Sequence, residues 1–189
     1  MKILITGGTG LIGSRLVELL ESDHQINILT RSPRPSEGNV NYYKWDPKSK
    51  SMDDKSLDGV EAIINLAGAG IADERWTDER KKVILESRID SAATIAKYLN
   101  ERSDLPKFYI GASAVGYYGD RGEEKLTDSD GPGEGFLSEV TVAWEEAHKA
   151  VSSMLDRSMI LRIGIVLSTK GGALKEILKP TAIGAYGYF

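Results

Sequence analysis

The chain contains no cysteine, which excludes disulfides, cysteine-ligated zinc, iron–sulfur clusters and thiolate catalysis. Imidazoles are nearly as scarce. His24 and His148 are the only two, lie far apart in no H-x-x-x-H spacing, and are read as surface residues at helix ends, so no metal site is expected. No apolar run approaches the ~20 residues of a membrane span. The N-terminal apolar stretch is broken by Gly7, Gly8 and Gly10 without a signal-peptide layout, and a cytoplasmic location is the expectation. A basic excess is also missing: 24 Lys+Arg are set among 28 Asp+Glu, a net charge of −4. That balance argues against nucleic acid, whose phosphates need a basic face, and leaves small molecules as the expected partners. What is present is 189 residues, 41% of them hydrophobic, enough for one domain with a core that buries about 70% of the unfolded surface.

Residues 2–6 form a short apolar run with β-branched members, followed at once by glycines and then by Leu11, Ile12, Leu16, Leu19 and Leu20 at helical spacing. The reading is strand, tight turn, helix. Further strands are predicted at 26–29, 40–45, 61–66, 108–112 and 159–167, and helices at 78–100 and 137–155. Between 116 and 135 the chain is Gly-rich, polar and acidic, which predicts a long surface loop of the kind that borders sites. Residues 184–189 show no clear period. Strands that are apolar almost throughout and alternate with helices predict an α/β fold: a Rossmann-like, doubly wound parallel sheet with helices on both faces.

The strongest local signal is Thr6-Gly7-Gly8-Thr9-Gly10-Leu11-Ile12-Gly13, between the first strand and the first helix. Gly8, Gly10 and Gly13 make G-x-G-x-x-G. Glycine there permits the tight turn, lets backbone N–H groups approach a pyrophosphate, and allows the helix to pack closely on the strand. Diphosphate oxygens then sit at the positive end of the helix. The second strand ends in Thr30-Arg31, with Arg31 lying 21 residues beyond Gly10, where an acidic residue would hold the ribose diol of NAD. A guanidinium instead pairs with a 2′-phosphate, so NADP(H) is expected in preference to NAD(H). The competing reading makes Arg31 and Arg34 solvated loop charges. Asp46, before Pro47, reads equally as an adenine-edge residue or as a turn cap.

With these pieces in hand the chain resembles the extended short-chain dehydrogenase/reductase superfamily, and within it the sugar-nucleotide epimerase-like branch of epimerase family proteins. The matching residues are ITGGTGLIG at 5–13, LTRSP at 29–33, NLAG at 65–68, RW at 75–76, ESR at 86–88, SAVGYYG at 113–119, WEEA at 144–147 and LRIGIVLS at 161–168. The resemblance implies that Gly7, Thr9, Gly10, Leu11, Ile12 and Gly13 surround the pyrophosphate and that Thr30 and Arg31 hold the adenosine phosphate. It also implies that Leu66, Ala67, Lys82 and Arg88 line the cofactor. For Arg88 a helix-surface charge is an equal alternative. A homodimer through the two long helices is a further implication.

Superfamily chemistry uses a Ser or Thr at the substrate oxygen and a Tyr activated by a Lys four residues on. Ser113 matches the first. The other two positions fall on Phe136 and Val140, and no Y-x-x-x-K occurs anywhere. Tyr117 or Tyr118 offers a replacement acid near Ser113, with packing as the competing role; Tyr118 is the candidate carried forward with Ser113. Tyr117 with Arg121 is Y-x-x-x-R, but in the Gly-rich loop. Trp144 is read as core, and Glu145 as solvated or capping a neighbouring backbone. The expected function is hydride transfer at a carbonyl or carbinol of a sugar nucleotide or similar small molecule; the alternative is a weakly active or inactive dinucleotide-binding sensor module. The chain stops soon after the sixth predicted strand, so residues 1–189 are expected to be the NAD(P)-binding domain with most of a C-terminal substrate domain absent.

Overall fold

The computed structural model describes residues 1–174, 177 and 178; 184–189 lie outside the described residues. In chain order the main elements are β1 (Lys2–Thr6), α1 (Leu11–Leu20), β2 (Gln25–Thr30), β3 (Val40–Asp46), β4 (Ser51–Met52), β5 (Ala62–Asn65), α2 (Asp78–Leu99), β6 (Phe108–Ala114), α3 (Phe136–Ser152), β7 (Arg157–Ile163), and a small hairpin of β8 (Leu167–Ser168) and β9 (Gly171–Gly172). Seven strands form one sheet in the order β4-β3-β2-β1-β5-β6-β7. Every pairing in it is parallel except β3 with β4.

Pleating sends alternate residues of β1 to opposite faces, and both faces are covered. Leu4 joins Leu29, Ile63, Tyr109 and Val151 beneath α2 and α3. Ile3 and Ile5 join Ile26, Ile28 and Val17 beneath α1. Because neither face of the central strands meets water, they read as unbroken apolar runs. Each fully buried aliphatic side chain, such as Leu4 or Ile63, contributes about 1.5–3 kcal/mol.

Helix starts follow local chemistry. Thr77 accepts a hydrogen bond from the Arg80 amide ahead of α2, with Asp78 and Glu79 in the first turn, where carboxylates complement the helix dipole. α1 begins differently, at Gly10, with no side-chain cap and no acidic residue in its first turn.

Several boundaries differ from expectation. The predicted helix 137–155 stops at Ser152, and Met154 and Leu155 fold back against the core under α3 rather than prolonging it. The predicted strand 159–167 spans Arg157–Ile163, and Leu167–Ser168 pairs antiparallel with β9. The short β4 was not anticipated; it returns after Asp46, whose side chain accepts from the Lys48 amide at 3.1 Å, so the turn-cap reading of Asp46 holds. The parallel β2–β3 step is made by residues 31–39 without a helix. An open groove of about 680 Å³ therefore lies beside α1, lined by Gly8, Thr9, Ile28, Arg34 and Tyr42 among others.

His148 corrects a prediction. It is fully buried because it sits on the inner face of α3 above β6, where two polar partners repay its desolvation. No helix among the described residues is long and apolar enough to cross a membrane.

Candidate functional site

From β1 the chain steps outward to β2 and β3, then returns to place β5 on β1's other side. The carboxyl ends of β1 and β5 therefore flank a crevice at the point where strand order reverses, the position at which open α/β sheets take ligands. The glycine turn lies in it. Gly7 has φ +68°, and a Cβ there would stand 2.9 Å from the Leu66 carbonyl carbon and oxygen. Gly13 presses harder: its Cβ would come within 2.1 Å of the Gly7 carbonyl oxygen. The turn is closed by the Gly10 amide donating to Gly7 at 2.9 Å.

Thr9, Gly10 and Ile12 are exposed, Leu11 is half-buried, and Gly8 and Gly13 are buried. The cradle thus fits the diphosphate of a dinucleotide: it has close backbone, exposed residues at the turn, and a helix N-terminus left uncapped. At the end of β2, Thr30 is half-buried and Arg31 exposed. Arg34 stacks over the Tyr42 ring at 4.4 Å and donates to its hydroxyl while remaining exposed, as the loop-charge reading has it.

Leu66 and Ala67 are half-buried at the end of β5. A chain of buried polar groups fixes their backbone. The Ala67 amide donates to Thr6 Oγ1 at 3.1 Å, and Thr6 Oγ1 and Ser91 Oγ donate to Asn65 Oδ1 at 2.6 and 2.7 Å. Asn65 Nδ2 donates to the Tyr109 hydroxyl at 3.2 Å. His148 Nε2 faces the Ala112 carbonyl at 2.9 Å, and a carbonyl only accepts, so that nitrogen carries the proton. Nδ1 then accepts from the Tyr109 hydroxyl at 2.5 Å. Burial, its largest influence, holds His148 below the ordinary imidazole range, consistent with this neutral tautomer. Burial likewise pushes the Tyr109 phenol up.

Arg88 lies behind the same crevice. It donates to the Ala69 and Ile84 carbonyls at 3.1 and 2.8 Å and stacks over Trp144 at 4.8 Å. Burial first, and Arg80 second, lower its guanidinium to about 10; half-buried and engaged by two carbonyls and Trp144, Arg88 is more than a helix-surface charge. Lys82 is exposed on α2 and pairs with Glu86 at 3.7 Å. Trp144 is core, as expected.

At the ends of β6 and β7 a second cluster forms. Ser113, 2% exposed, donates to Glu145 Oε1 at 2.7 Å. Arg162 clasps the same carboxylate with Nε at 2.8 Å and Nη2 at 3.0 Å. Its remaining Nη1 donates to the Tyr118 hydroxyl at 2.8 Å, and its plane lies 3.5 Å from the Tyr117 ring centroid. Burial acts to raise Glu145, but the hydrogen bonds from Arg162 and Ser113 together outweigh it and hold the carboxyl below its usual range. The reading of Glu145 as solvated or backbone-capping is therefore corrected: Ser113 and Arg162 meet on it.

Phe136 packs edge-on against Trp76 at 5.2 Å, and Val140 is buried. Arg121 pairs with Glu124 at 2.9 Å instead of reaching Tyr117. Sequence reasoning missed Arg162. The available signal was a lone cation in the otherwise apolar stretch 159–167.

The sequence profile of the NAD dependent epimerase/dehydratase family matches residues 3–155. An epimerase family protein of Mycobacterium tuberculosis is 34% identical over 184 residues, 96% of this chain and 59% of its own length. One from Staphylococcus aureus is 36% identical over 183 residues, 95% of this chain and 60% of its own length. The chain thus spans about three-fifths of the length of these relatives. Among solved structures, a human epimerase family protein crystallised with NADPH superposes with a TM-score of 0.78 at 27% identity, covering 99% of this chain and 61% of that one. A nucleoside-diphosphate sugar epimerase from Corynebacterium glutamicum gives 0.79 at 32% identity, covering 99% of this chain and 39% of that one.

Proposed function

Because the chain belongs to the NAD dependent epimerase/dehydratase family, we propose that it is the Rossmann part of an NADP(H)-dependent oxidoreductase or nucleoside-diphosphate-sugar epimerase. Its substrate on this reading is a small molecule with a carbonyl or carbinol, a sugar nucleotide above all. The observation that carries the proposal is the start of α1, where a glycine cradle at the strand-order reversal leaves a helix N-terminus without side-chain cap or acidic neighbour. Gly7, Thr9, Gly10, Leu11, Ile12 and Gly13 hold the diphosphate. Thr30 and Arg31 take the adenosine phosphate and favour NADP(H), and the solved human relative bound to NADPH supports that preference. Leu66, Ala67, Lys82 and Arg88 line the remainder.

When bound, the nicotinamide gives or takes hydride at the substrate carbon. Ser113 and Tyr118 serve the substrate oxygen. Residues 1–189 form the cofactor domain of this enzyme, with most of the substrate domain lying outside them; the whole is cytoplasmic and homodimeric. A dinucleotide sensor with weak or no catalysis is the second reading, favoured by Phe136 and Val140 at the positions of the superfamily Tyr and Lys.

Absorbance at the nicotinamide band, together with conversion of the UDP-sugars, separates the two. The chain is incubated with NADP⁺ plus UDP-glucose or UDP-glucuronate, and with NADPH plus phenanthrenequinone as a generic carbonyl. Turnover of any probe supports the enzyme; tight NADPH binding with neither an absorbance change nor any conversion of the UDP-sugars in any mixture supports the sensor.

A further inference from the structure

Two hydroxyls stand at the ends of β6 and β7, and the ion pair between Glu145 and Arg162 sets the sense of each. Ser113 has one proton, and it goes to the Glu145 carboxylate. Tyr118 is arranged the opposite way. Its oxygen already accepts from Arg162 Nη1 at 2.8 Å, and its own O–H donates to no acceptor among the described residues, so that proton is available to a ligand. The guanidinium that meets it is held from three sides: by two bonds to Glu145, by the Tyr117 ring at 3.5 Å, and by the Asp128 carbonyl at 3.4 Å. Such a bidentate pair fixes the third nitrogen in direction as well as distance.

We propose that Tyr118 and Arg162 form the proton-delivering pair of this site, Tyr118 as the acid at the substrate oxygen and Arg162 as its positioning cation, locked by Glu145 and Ser113. The pair is assembled from the turn after β6 and from strand β7. It takes over a task that Phe136 and Val140, on one turn of α3, have no groups to perform. Resting on the oxidoreductase reading above, the step is as follows. As a carbonyl carbon receives hydride from the dihydronicotinamide, the phenol O–H bond breaks and a new O–H bond forms at the substrate oxygen. The electron pair stays on Tyr118 Oη, to which Arg162 Nη1 is already donating. The reverse direction returns the proton from a carbinol to the same oxygen. Ser113, its own proton held by Glu145, meets the substrate oxygen only as an acceptor from the carbinol.

The titratable and charged groups around Glu145 are Arg162 on β7, His148 one turn along α3, and Tyr118 through Arg162. Burial aside, Arg162 is the largest of these influences and favours the ionised carboxylate, so the lock persists across neutral pH.

The test follows NADPH consumption with phenanthrenequinone in wild type, Tyr118→Phe, Arg162→Gln, Arg162→Lys and the double variant Tyr118→Phe/Arg162→Gln. General acid catalysis is worth about 10²–10⁴-fold. Tyr118→Phe and Arg162→Gln are each expected to lower kcat by about a hundredfold or more, with NADPH affinity and KM nearly unchanged. The double variant falls no further than Tyr118→Phe alone, because the two act as one unit, and Arg162→Lys recovers part of the loss. A second readout needs no turnover: the ¹³C signal of the Tyr118 ring carbon bearing oxygen shifts in Arg162→Gln and in Glu145→Gln. Wild-type turnover with Tyr118→Phe and Arg162→Gln at the same rate would overturn this proposal and leave the oxidoreductase reading in place. A ring signal indifferent to both Arg162→Gln and Glu145→Gln also overturns it. A wild type that binds NADPH and consumes none with any probe sinks the oxidoreductase reading, and this proposal with it.

Discussion

Replacing Gly13 by alanine tests the cradle at its tightest point. The added Cβ would lie 2.1 Å from the Gly7 carbonyl oxygen, 2.7 Å from Gly8 Cα and 2.8 Å from the Gly7 carbonyl carbon. All three atoms are backbone, so no side chain can rotate away. Ordinary contact begins near 3.4 Å, and 3.4 − 2.1 leaves about 1.3 Å by which α1 and the turn must separate. Overpacking of this kind costs about 1–3 kcal/mol. At about 2–4 °C per kcal/mol for a chain of this size, the thermal midpoint falls by about 2–12 °C. The same displacement opens the turn that presents N–H groups to diphosphate. Losing two charge-assisted hydrogen bonds, each worth about 1.5 kcal/mol, weakens NADPH about a hundredfold. Gly131→Ala is the control, since a Cβ there meets nothing within 4 Å and the backbone needs no positive φ. Calorimetry and NADPH fluorescence titration on both variants measure the two effects. If Gly13→Ala matches Gly131→Ala in midpoint and affinity, the cradle is not the close-packed turn described.

Three further outcomes are expected. Arg31→Asp weakens NADPH at least tenfold more than NADH, because a carboxylate at the end of β2 repels a 2′-phosphate and leaves a ribose diol unopposed; equal weakening in parallel titrations would remove Arg31 from the phosphate. His148→Leu leaves the Tyr109 O–H proton without its acceptor, although Asn65 still donates to that oxygen, and takes the imidazole donor from the Ala112 carbonyl. At about 1–3 kcal/mol for each unsatisfied buried group, it costs about 2–6 kcal/mol in urea unfolding. The same imidazole makes stability pH-dependent. Burial lowers its folded pKa below the reference 6.5, so below about pH 6.5 the unfolded chain binds a proton that the folded chain refuses. Stability therefore falls as pH drops from about 6.5, by at most ~1.4 kcal/mol per unit, until the folded imidazole itself titrates. The share of that fall due to His148 disappears in His148→Leu, and an unchanged slope would contradict it.

Much of this architecture was legible because local and tertiary signals coincide. Ile3, Leu4 and Ile5 are apolar on both faces since both faces are covered, and glycines at 7, 8, 10 and 13 have almost no use except a close turn under a helix. Thr77 ahead of Asp78 and Glu79 marks its own helix start. His148 and Glu145 were misread for one physical reason: a polar side chain's burial depends on partners brought by other elements. Tyr109 and Ala112 come from β6, Arg162 from β7 and Ser113 from the end of β6, and none lies within 15 residues of the group it satisfies. The two residues of β4 are too few to show a period.

Parallel titration of the chain with NADPH and NADH, followed by nicotinamide fluorescence and thermal midpoint, tests the central claim most directly. Saturable NADPH binding that raises the midpoint as RT ln(1 + [L]/Kd) requires, with NADH at least tenfold weaker, is the predicted result. Absence of binding by either nucleotide would contradict the account at its base, since the cradle between β1 and α1 would then be a turn and nothing more.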